Sequence, residues 1–442
     1  FDEAMQILKN ASANLSDLPD QSFGARPMVF YTLGWLHEKN GDPKSALKFF
    51  QRAAASSPDY CFPSRREEID ILEAAMRANQ RDAKAPYYLG NLFYDRRRHE
   101  EAIRLWEKSV KLDPKFSTVW RNLGIGYFNI LKKPAKAKAV YEKAFRANLS
   151  DARLLYERDQ LWKRLGEKPE KRLHELEKFP QLVSQRDDLS VEICALYNQT
   201  GQPERAAKIL SERKFQPWEG GEGGALGQHV RAQLALGRAA LVGQASSLSK
   251  KLQAQMNRQD ACPTTKALAH FKNALTSPRN LGEAKHLLVN QSDIHYWLGC
   301  ALDLLGDKKS AREHWLAAAN FKGDFQEMSV RAFSEMTYYS ALAWKKIGER
   351  ARAKKLFRDL LTYAQKLQKS KAKIDYFATS LPTMLLFDDD LQFRQETTAL
   401  FLQAQAQLGL GKKAKAKSLL QTVLRRDPNH ALAADFLREM PT

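Results

Sequence analysis

Leu-Gly pairs recur inside amphipathic stretches at Leu33-Gly34, Leu89-Gly90, Leu123-Gly124, Leu236-Gly237 and Leu298-Gly299, and most are followed by an alanine with an aromatic residue four positions later. From Pro27 to Pro58 the positions Phe30, Leu33, Gly34, Ala46, Phe50, Ala53 and Pro58 stand in step. The next stretch repeats them as Leu89, Gly90, Phe93, Ala102, Trp106 and Pro114. A third has Trp120, Leu123, Gly124 and Tyr127 and then, after one extra residue in its turn, Ala137, Tyr141 and Ala144. Further along come His295, Leu298, Gly299, Gly306, Ala311, Trp315 and Ala318, and last Gly411, Ala416, Leu420 and Pro428. Two antiparallel helices impose this spacing: Gly and Ala let the backbones approach, and the aromatic rings fill the gap to the next pair. A chain built this way adds core with every pair, so its 442 residues need no division into globular domains.

The pattern, W-x2-L-G-x2-Y followed by A-x3-F and P over about 34 residues, resembles the tetratricopeptide repeat (TPR). The expected fold is all-α: a TPR-type helix-turn-helix solenoid, a right-handed superhelix of about nine to ten repeats with one degenerate pair. Residues 1–26 read as a partial N-terminal repeat, because Ala4 and Leu8 fill second-helix positions with no partner helix before them, so the chain is expected to be part of a longer protein. Residues 27–150 form the regular array, with one extra helix at 65–78 after the turn Tyr60-Cys61-Phe62-Pro63. Residues 151–214 join a degenerate repeat, apolar at Leu154, Leu155, Leu161, Trp162 and Leu165, to a regular one through Ile193, Tyr197, Gly201, Ala206 and Leu210. A Trp- and Gly-rich loop at 215–228 ends the helical period. The repeat at 229–290 holds an inserted loop at 245–265, about 18 residues beyond what the repeat allows, polar, aperiodic and expected to be a mobile surface segment. Residues 291–442 complete the array, with Pro382 standing out in the joint between Tyr376 and Leu391.

The net charge of +20 would point to nucleic acid in another fold. Here the basic residues flank the packed alanine of second helices: Lys136 and Lys138 beside Ala137, Arg352, Lys354 and Lys355 beside Ala353, and Lys412, Lys413, Lys415 and Lys417 around Ala416. They read as a solvated outer face, and no aromatic-interleaved RNA motif accompanies them, so nucleic acid is not the expected partner. The 4 cysteines, Cys61, Cys194, Cys262 and Cys300, lie far apart without a C-x-x-C pair. That suits a reducing compartment or simple burial better than a disulfide or zinc framework, and the cytoplasm is the expected location. No apolar run of about 18 residues offers a membrane span.

Several segments go beyond what repeat packing demands: 151–166 (DARLLYERDQLWKRLG), Phe215 to Gly223 with its PWEGGEG run, Ile294 to Gly299 (IHYWLG), and 375–382 (DYFATSLP) with 387–391 (FDDDL). Together they resemble the helical tail of a bacterial family whose members begin with a β-rich domain of unknown function, and the likeness covers nearly the whole chain outside 245–265. In that family the upstream domain looks like the mutarotase-type β-sandwiches of sugar-active proteins. The resemblance therefore implies a carbohydrate connection and an N-terminal β domain as partner, and it implies no activity for the helical part.

Motifs of catalysis do not occur in the sequence. The 9 histidines form no H-E-x-x-H, His174-Glu175 having no second histidine four positions on. There is no G-x-S-x-G elbow and no Walker-type phosphate loop. Neither enzymatic activity, a metal nor a cofactor is expected. Asp388, Asp389 and Asp390 lack the glycine-bearing loop of a calcium site and read as a cap for the helix from Leu391. Trp218 with Glu219 and Glu222 is the loop candidate, an aromatic residue and a carboxylate pair suited to gripping a sugar or to acid-base work. The alternative is that Trp218 plugs a gap between repeats and the carboxylates cap helices.

The better surface is the concave groove, which first helices of TPRs line with residues one step off their packed positions. Those are Tyr31 and Trp35, then Tyr87, Asn91 and Tyr94, then Arg121, Asn122 and Phe128. Aromatic residues with Asn and Arg suit a peptide or a sugar, or packing against a neighbouring domain. Asn91 and Asn122 resemble the paired asparagines of carboxylate-clamp TPR domains, yet Tyr87 stands where a clamp Lys belongs and Glu157 where an Arg does, so capture of a chaperone tail is not expected. The function expected is a non-catalytic protein-binding or scaffolding module. A carbohydrate-binding or carbohydrate-processing helical domain using 215–224 is the alternative, and nucleic-acid binding through the basic face the second.

Overall fold

A computed structural model of the chain describes residues 2–14, 26–216, 221–248, 263–326, 329–373 and 386–440. They form helix after helix joined by short turns. The first are α1 (Asp2–Asn14), α2 (Arg26–Lys39), α3 (Pro43–Ala55), α4 (Glu67–Ala78), α5 (Lys84–Asp95), α6 (His99–Leu112), α7 (Ser117–Ile125), α8 (Pro134–Ala147) and α9 (Ala152–Arg164). Among the described residues the β structure is one hairpin, Asp324–Gln326 against Ser329–Arg331, with Phe325 opposite Val330. The fold is all-α and TPR-type.

The Leu-Gly register works by admitting a ring. A Cβ built on Gly34 would lie 2.6 Å from the Phe50 ring, one on Gly90 2.5 Å from Trp106, one on Gly124 2.2 Å from Tyr141, one on Gly237 2.3 Å from Phe271 and one on Gly299 2.4 Å from Trp315. In each pair the aromatic residue comes from the following helix, four positions after a buried alanine such as Ala46, Ala102 or Ala137. Turns between paired helices pass through the left-handed region, at Gly41, Gly306, Gly348 and Gly411 with φ of 76° to 95°. In two turns Asp42 and Asp307 then cap the second helix, accepting the backbone N–H of Ser45 and Ser310 at 3.0 Å. Arg97 and Lys132 occupy the same turn position at φ 60° and 50° without being glycine.

The extra residue of the third copy is absorbed in the first helix. After Ile125 the chain winds one π-turn, Gly126–Ile130, in which the Leu131 N–H donates to the Gly126 carbonyl. A wider turn swings the residues it carries relative to an α-helical path.

The chain divides into two compact units. The first is Phe1–Leu161 joined by Leu386–Asp388, and the second is Trp162–Leu385 with Asp389–Thr442. In the second, α10 (Pro169–Glu177), α11 (Pro180–Gln185), α12 (Asp187–Gln199) and α13 (Pro203–Glu212) are followed by α14 (Gly224–Leu248) and α15 (Pro263–Leu275). Helix α14 thus begins inside the stretch expected to be loop and runs past Ala245, because 224–248 contains no proline and few β-branched residues to stop it. At the other end of the expected insertion Pro263, Thr264 and Thr265 already belong to α15, while 249–262 lies outside the described residues, as do Tyr376 and Pro382. The last helix, Ala431–Glu439, packs back on earlier helices of its own unit. Phe436 meets Phe401 and Tyr338 edge-to-face at 5.6 and 5.2 Å, Asp435 pairs with Arg231 at 3.0 Å, Glu439 with Arg238 at 2.9 Å, and Asn429 just before it accepts from Arg172 at 2.8 Å.

Candidate functional site

The groove residues named from the sequence all lie in the first unit, on α2, α5, α7 and the π-turn, and their settings differ. Tyr31 is fully buried and its hydroxyl donates to Asp82 at 2.8 Å. That carboxylate also accepts the N–H groups of Lys84 and Ala85, so Tyr31 ties α2 to the start of α5. Burial, then the Asp82 charge, holds the Tyr31 hydroxyl well above its usual value, and burial also raises Asp82. Tyr87 is buried too, its ring 5.2 Å from Tyr88 and 4.8 Å from Phe116. Both are core residues by position.

The remaining six are half-buried. The Lys39 ammonium lies over the Trp35 ring at 5.6 Å. Asn91 is pinned by two donors, Trp106 Nε1 and Asn122 Nδ2, each at 3.0 Å from its Oδ1. Arg121 makes a two-pronged pair with Glu157 at 2.6 and 2.7 Å, and the same buried carboxylate accepts from Arg153 at 2.8 Å and the Tyr141 hydroxyl at 3.2 Å. Glu157 therefore carries charge compensation inward, and Arg121 is held by it. Tyr94 stacks obliquely on Trp106 at 5.2 Å, and burial, then the Asp388 carboxylate, raises its hydroxyl.

Phe128 ends at something the sequence did not predict. Its ring meets Phe387 edge-to-face at 5.3 Å, and Phe387 also meets Tyr141 at 5.6 Å. Phe387 is 1% exposed. Beside Phe128 on the π-turn, Asn129 brackets that residue's main chain: its Nδ2 donates to the Leu386 carbonyl and its Oδ1 accepts the Asp388 N–H, both at 2.9 Å. Lys132 reaches the Asp388 carboxylate at 2.6 Å. Asn129, Lys132, Tyr141 and Phe387 were missed from the sequence. The one signal for them was the extra residue after Gly124, which is what brings Phe128 and Asn129 to this position.

Of the acidic run, Asp390 caps the helix Leu391–Gly409, accepting the Phe393 N–H at 2.9 Å, and Asp389 pairs with Arg394 at 3.0 Å. In the loop candidate, Glu222 is exposed in the turn before α14, whereas Trp218 and Glu219 lie outside the described residues. Cys61 and Cys194 are buried, and burial pushes their thiols up to about 11 and about 12, far from the thiolate form a nucleophile needs. Among the described residues no three His, Cys, Asp or Glu side chains gather as metal ligands do, and no helix is long and apolar enough to cross a membrane. The basic residues beside Ala353 and Ala416 are exposed while the alanines are buried.

Three stretches, 29–60, 83–116 and 398–430, match the tetratricopeptide repeat family. The type IV pilus assembly protein PilF of Pseudomonas aeruginosa is 34% identical over 105 residues, which is 23% of this chain and 41% of that protein, so the match spans less than half of its relative. Among solved structures, PilF of Pseudomonas aeruginosa is 20% identical with a TM-score of 0.29, over 42% of this chain and 90% of that one. A tetratricopeptide repeat protein from Parabacteroides merdae is 14% identical with a TM-score of 0.30, over 72% and 99%. YrrB, a TPR protein with an unusual peptide-binding site, is 15% identical with a TM-score of 0.24, over 57% and 91%. The fold and the three repeat matches define a TPR-type array, a class of protein-interaction and scaffold modules.

Proposed function

We propose that this chain is a non-catalytic binding and scaffolding module whose ligand face is the groove of the first unit, and that the ligand is an extended protein or peptide segment. The observation that carries the reading is the fixed orientation of half-buried polar side chains: Asn91 held by Trp106 and Asn122, and Arg121 held by Glu157. Side chains locked before a ligand arrives lose little freedom when it binds, which is how a shallow surface gains affinity. Trp35, Tyr94 and Phe128 supply apolar area beside them. In the longer protein that the family resemblance implies, the array serves a β-rich, sugar-related domain as its docking platform.

The test is a peptide and glycan array probed with the intact chain and with Trp35→Ala/Tyr94→Ala, at low and at high salt. Tyr31 and Tyr87 are left alone, because their truncation would report on folding. Peptide binding that the double variant loses and that salt leaves steady supports the reading. Glycan binding in place of peptide binding turns it toward the carbohydrate alternative, binding that falls steeply with salt turns it toward nucleic acid, and binding by neither ends the idea of an autonomous module.

A further inference from the structure

Against Phe128 and Asn129 the first unit holds three residues from far along its own chain. Leu386, Phe387 and Asp388 belong to that unit by contact although 257 positions separate Leu386 from the asparagine that grips it. The recognition is local to three residues. One amide, Asn129, satisfies the carbonyl before Phe387 and the N–H after it where the chain bends, an arrangement that holds main chain and reads no side chain. Selectivity comes from the ring of Phe387, enclosed by Phe128 and Tyr141, and from the carboxylate of Asp388 against Lys132. Asp389 and Asp390 point their carboxylates elsewhere, to Arg394 and to the Phe393 N–H, so the grip needs one acid and not three.

The equivalent places in the first two copies show that this is a built feature. Four and five residues after the Leu-Gly glycine stand Glu38 and Lys39 in the first copy and Tyr94 and Asp95 in the second, against Phe128 and Asn129 in the third. The third copy alone of these has the additional residue and the π-turn, a deviation that costs helix regularity and is found where a side chain must be re-aimed.

We propose that Leu386–Asp388 is an internal ligand, and that the site formed by Phe128, Asn129, Lys132 and Tyr141 takes a short peptide segment of a partner protein presenting Phe followed by Asp, in exchange for the chain's own copy. The inference rests on the groove reading above and names the ligand class for one end of it. An occupied groove answers only to a partner that offers the same motif at high local concentration, which makes the internal segment a threshold for binding as well as a sample of the ligand.

The probe is a fluorescein-labelled peptide with the sequence of Leu386–Asp390, and a control in which its Phe is Ala. Fluorescence anisotropy is read with the full chain, with Phe387→Ala, which empties the ring's place between Phe128 and Tyr141 and so weakens the internal segment's hold, and with Phe387→Ala/Asn129→Ala. The expected result is binding to Phe387→Ala at least about tenfold tighter than to the natural chain and than that of the control peptide, and loss of the gain in the double variant. Equal binding to all three proteins overturns the proposal, and so does a gain that survives Asn129→Ala. Should Phe387→Ala melt out of its fold, hydrogen exchange on the natural chain decides: excess unlabelled peptide accelerates exchange at 386–388 if the segment is exchangeable, and leaves it unchanged if the segment is a permanent part of the core. If this peptide fails while the array finds another ligand lost in Trp35→Ala/Tyr94→Ala, the internal-ligand proposal falls and the groove reading stands.

Discussion

Glycine at the helix contact is the residue on which five of the repeats turn. At Gly90 an added Cβ would stand 2.5 Å from the Trp106 indole nitrogen, which Asn91 already fixes in place. Gly90→Ala is expected to lower stability, since overpacking costs about 1–3 kcal/mol and helix propensity returns at most about 1 kcal/mol; urea unfolding followed by Trp fluorescence reads the difference. Gly227 is the internal control, because nothing lies within 4 Å of its added Cβ. There Gly227→Ala is expected to stabilise by roughly 0.5–1 kcal/mol, and a destabilised protein would refute the packing account. Arg97 tests the turn: at φ 60° it sits where Gly41 and Gly306 sit in other repeats, and Arg97→Gly is expected to raise stability by about 1 kcal/mol. Glycines and ring positions were legible in the sequence because one residue type at one spacing admits one packing. Tyr31 and Tyr87 were not separable from the groove row that way, because a step of one position on a helix moves a side chain by only about 100°, between wall and core.

At the scale of single elements, the π-turn and the helix α16 (Ser292–Leu304) are the two whose behaviour departs from the repeat average. Deleting Ile130 restores the spacing of the second copy and is expected to leave the helices in place while withdrawing Asn129 from Leu386 and Asp388; amide exchange at Asp388 should then rise about tenfold or more, and unchanged exchange would detach the clamp from the turn. In α16, two titrating neighbours oppose each other. Burial pushes the Asp293 carboxyl up from 3.8 to about 6. The native state then keeps a proton that the unfolded chain has lost, so this group's contribution falls as pH climbs from about 4 to 6, by on the order of 3 kcal/mol. Burial, then His314 at 2.9 Å, pushes His295 down from 6.5 to about 4. The unfolded chain binds that proton first on acidification, so the histidine's contribution grows as pH rises from about 4 to 6.5. Asp293→Asn is expected to uncover the rising limb and His295→Gln the falling one, in urea unfolding across that window. Identical pH profiles for the two variants would contradict both assignments.

On the scale of the whole molecule, each unit closes on itself through a piece of chain distant in sequence. In the second unit Arg231 is 14% exposed at its side chain and its carboxylate partner, Asp435, comes from the last helix. Removing that carboxylate strands a mostly buried guanidinium, so Asp435→Ala is expected to destabilise the second unit by about 3–5 kcal/mol, with the first unit's hydrogen exchange unaffected. A loss shared equally by both units would mean that they do not unfold separately. The sequence by itself determined the class of fold, the packed glycine, alanine and ring positions of the repeats and the cap on the helix from Leu391, because these depend on residues within about four positions or on spacing within one repeat. It also named Asn91 and Asn122, which hydrogen-bond to each other. Only the tertiary structure decided that Glu157 pairs with Arg121, that the last helix folds back on its unit and that Phe387 packs between Phe128 and Tyr141. Such contacts join segments whose separation in sequence carries no period, and a pattern can reveal only what recurs.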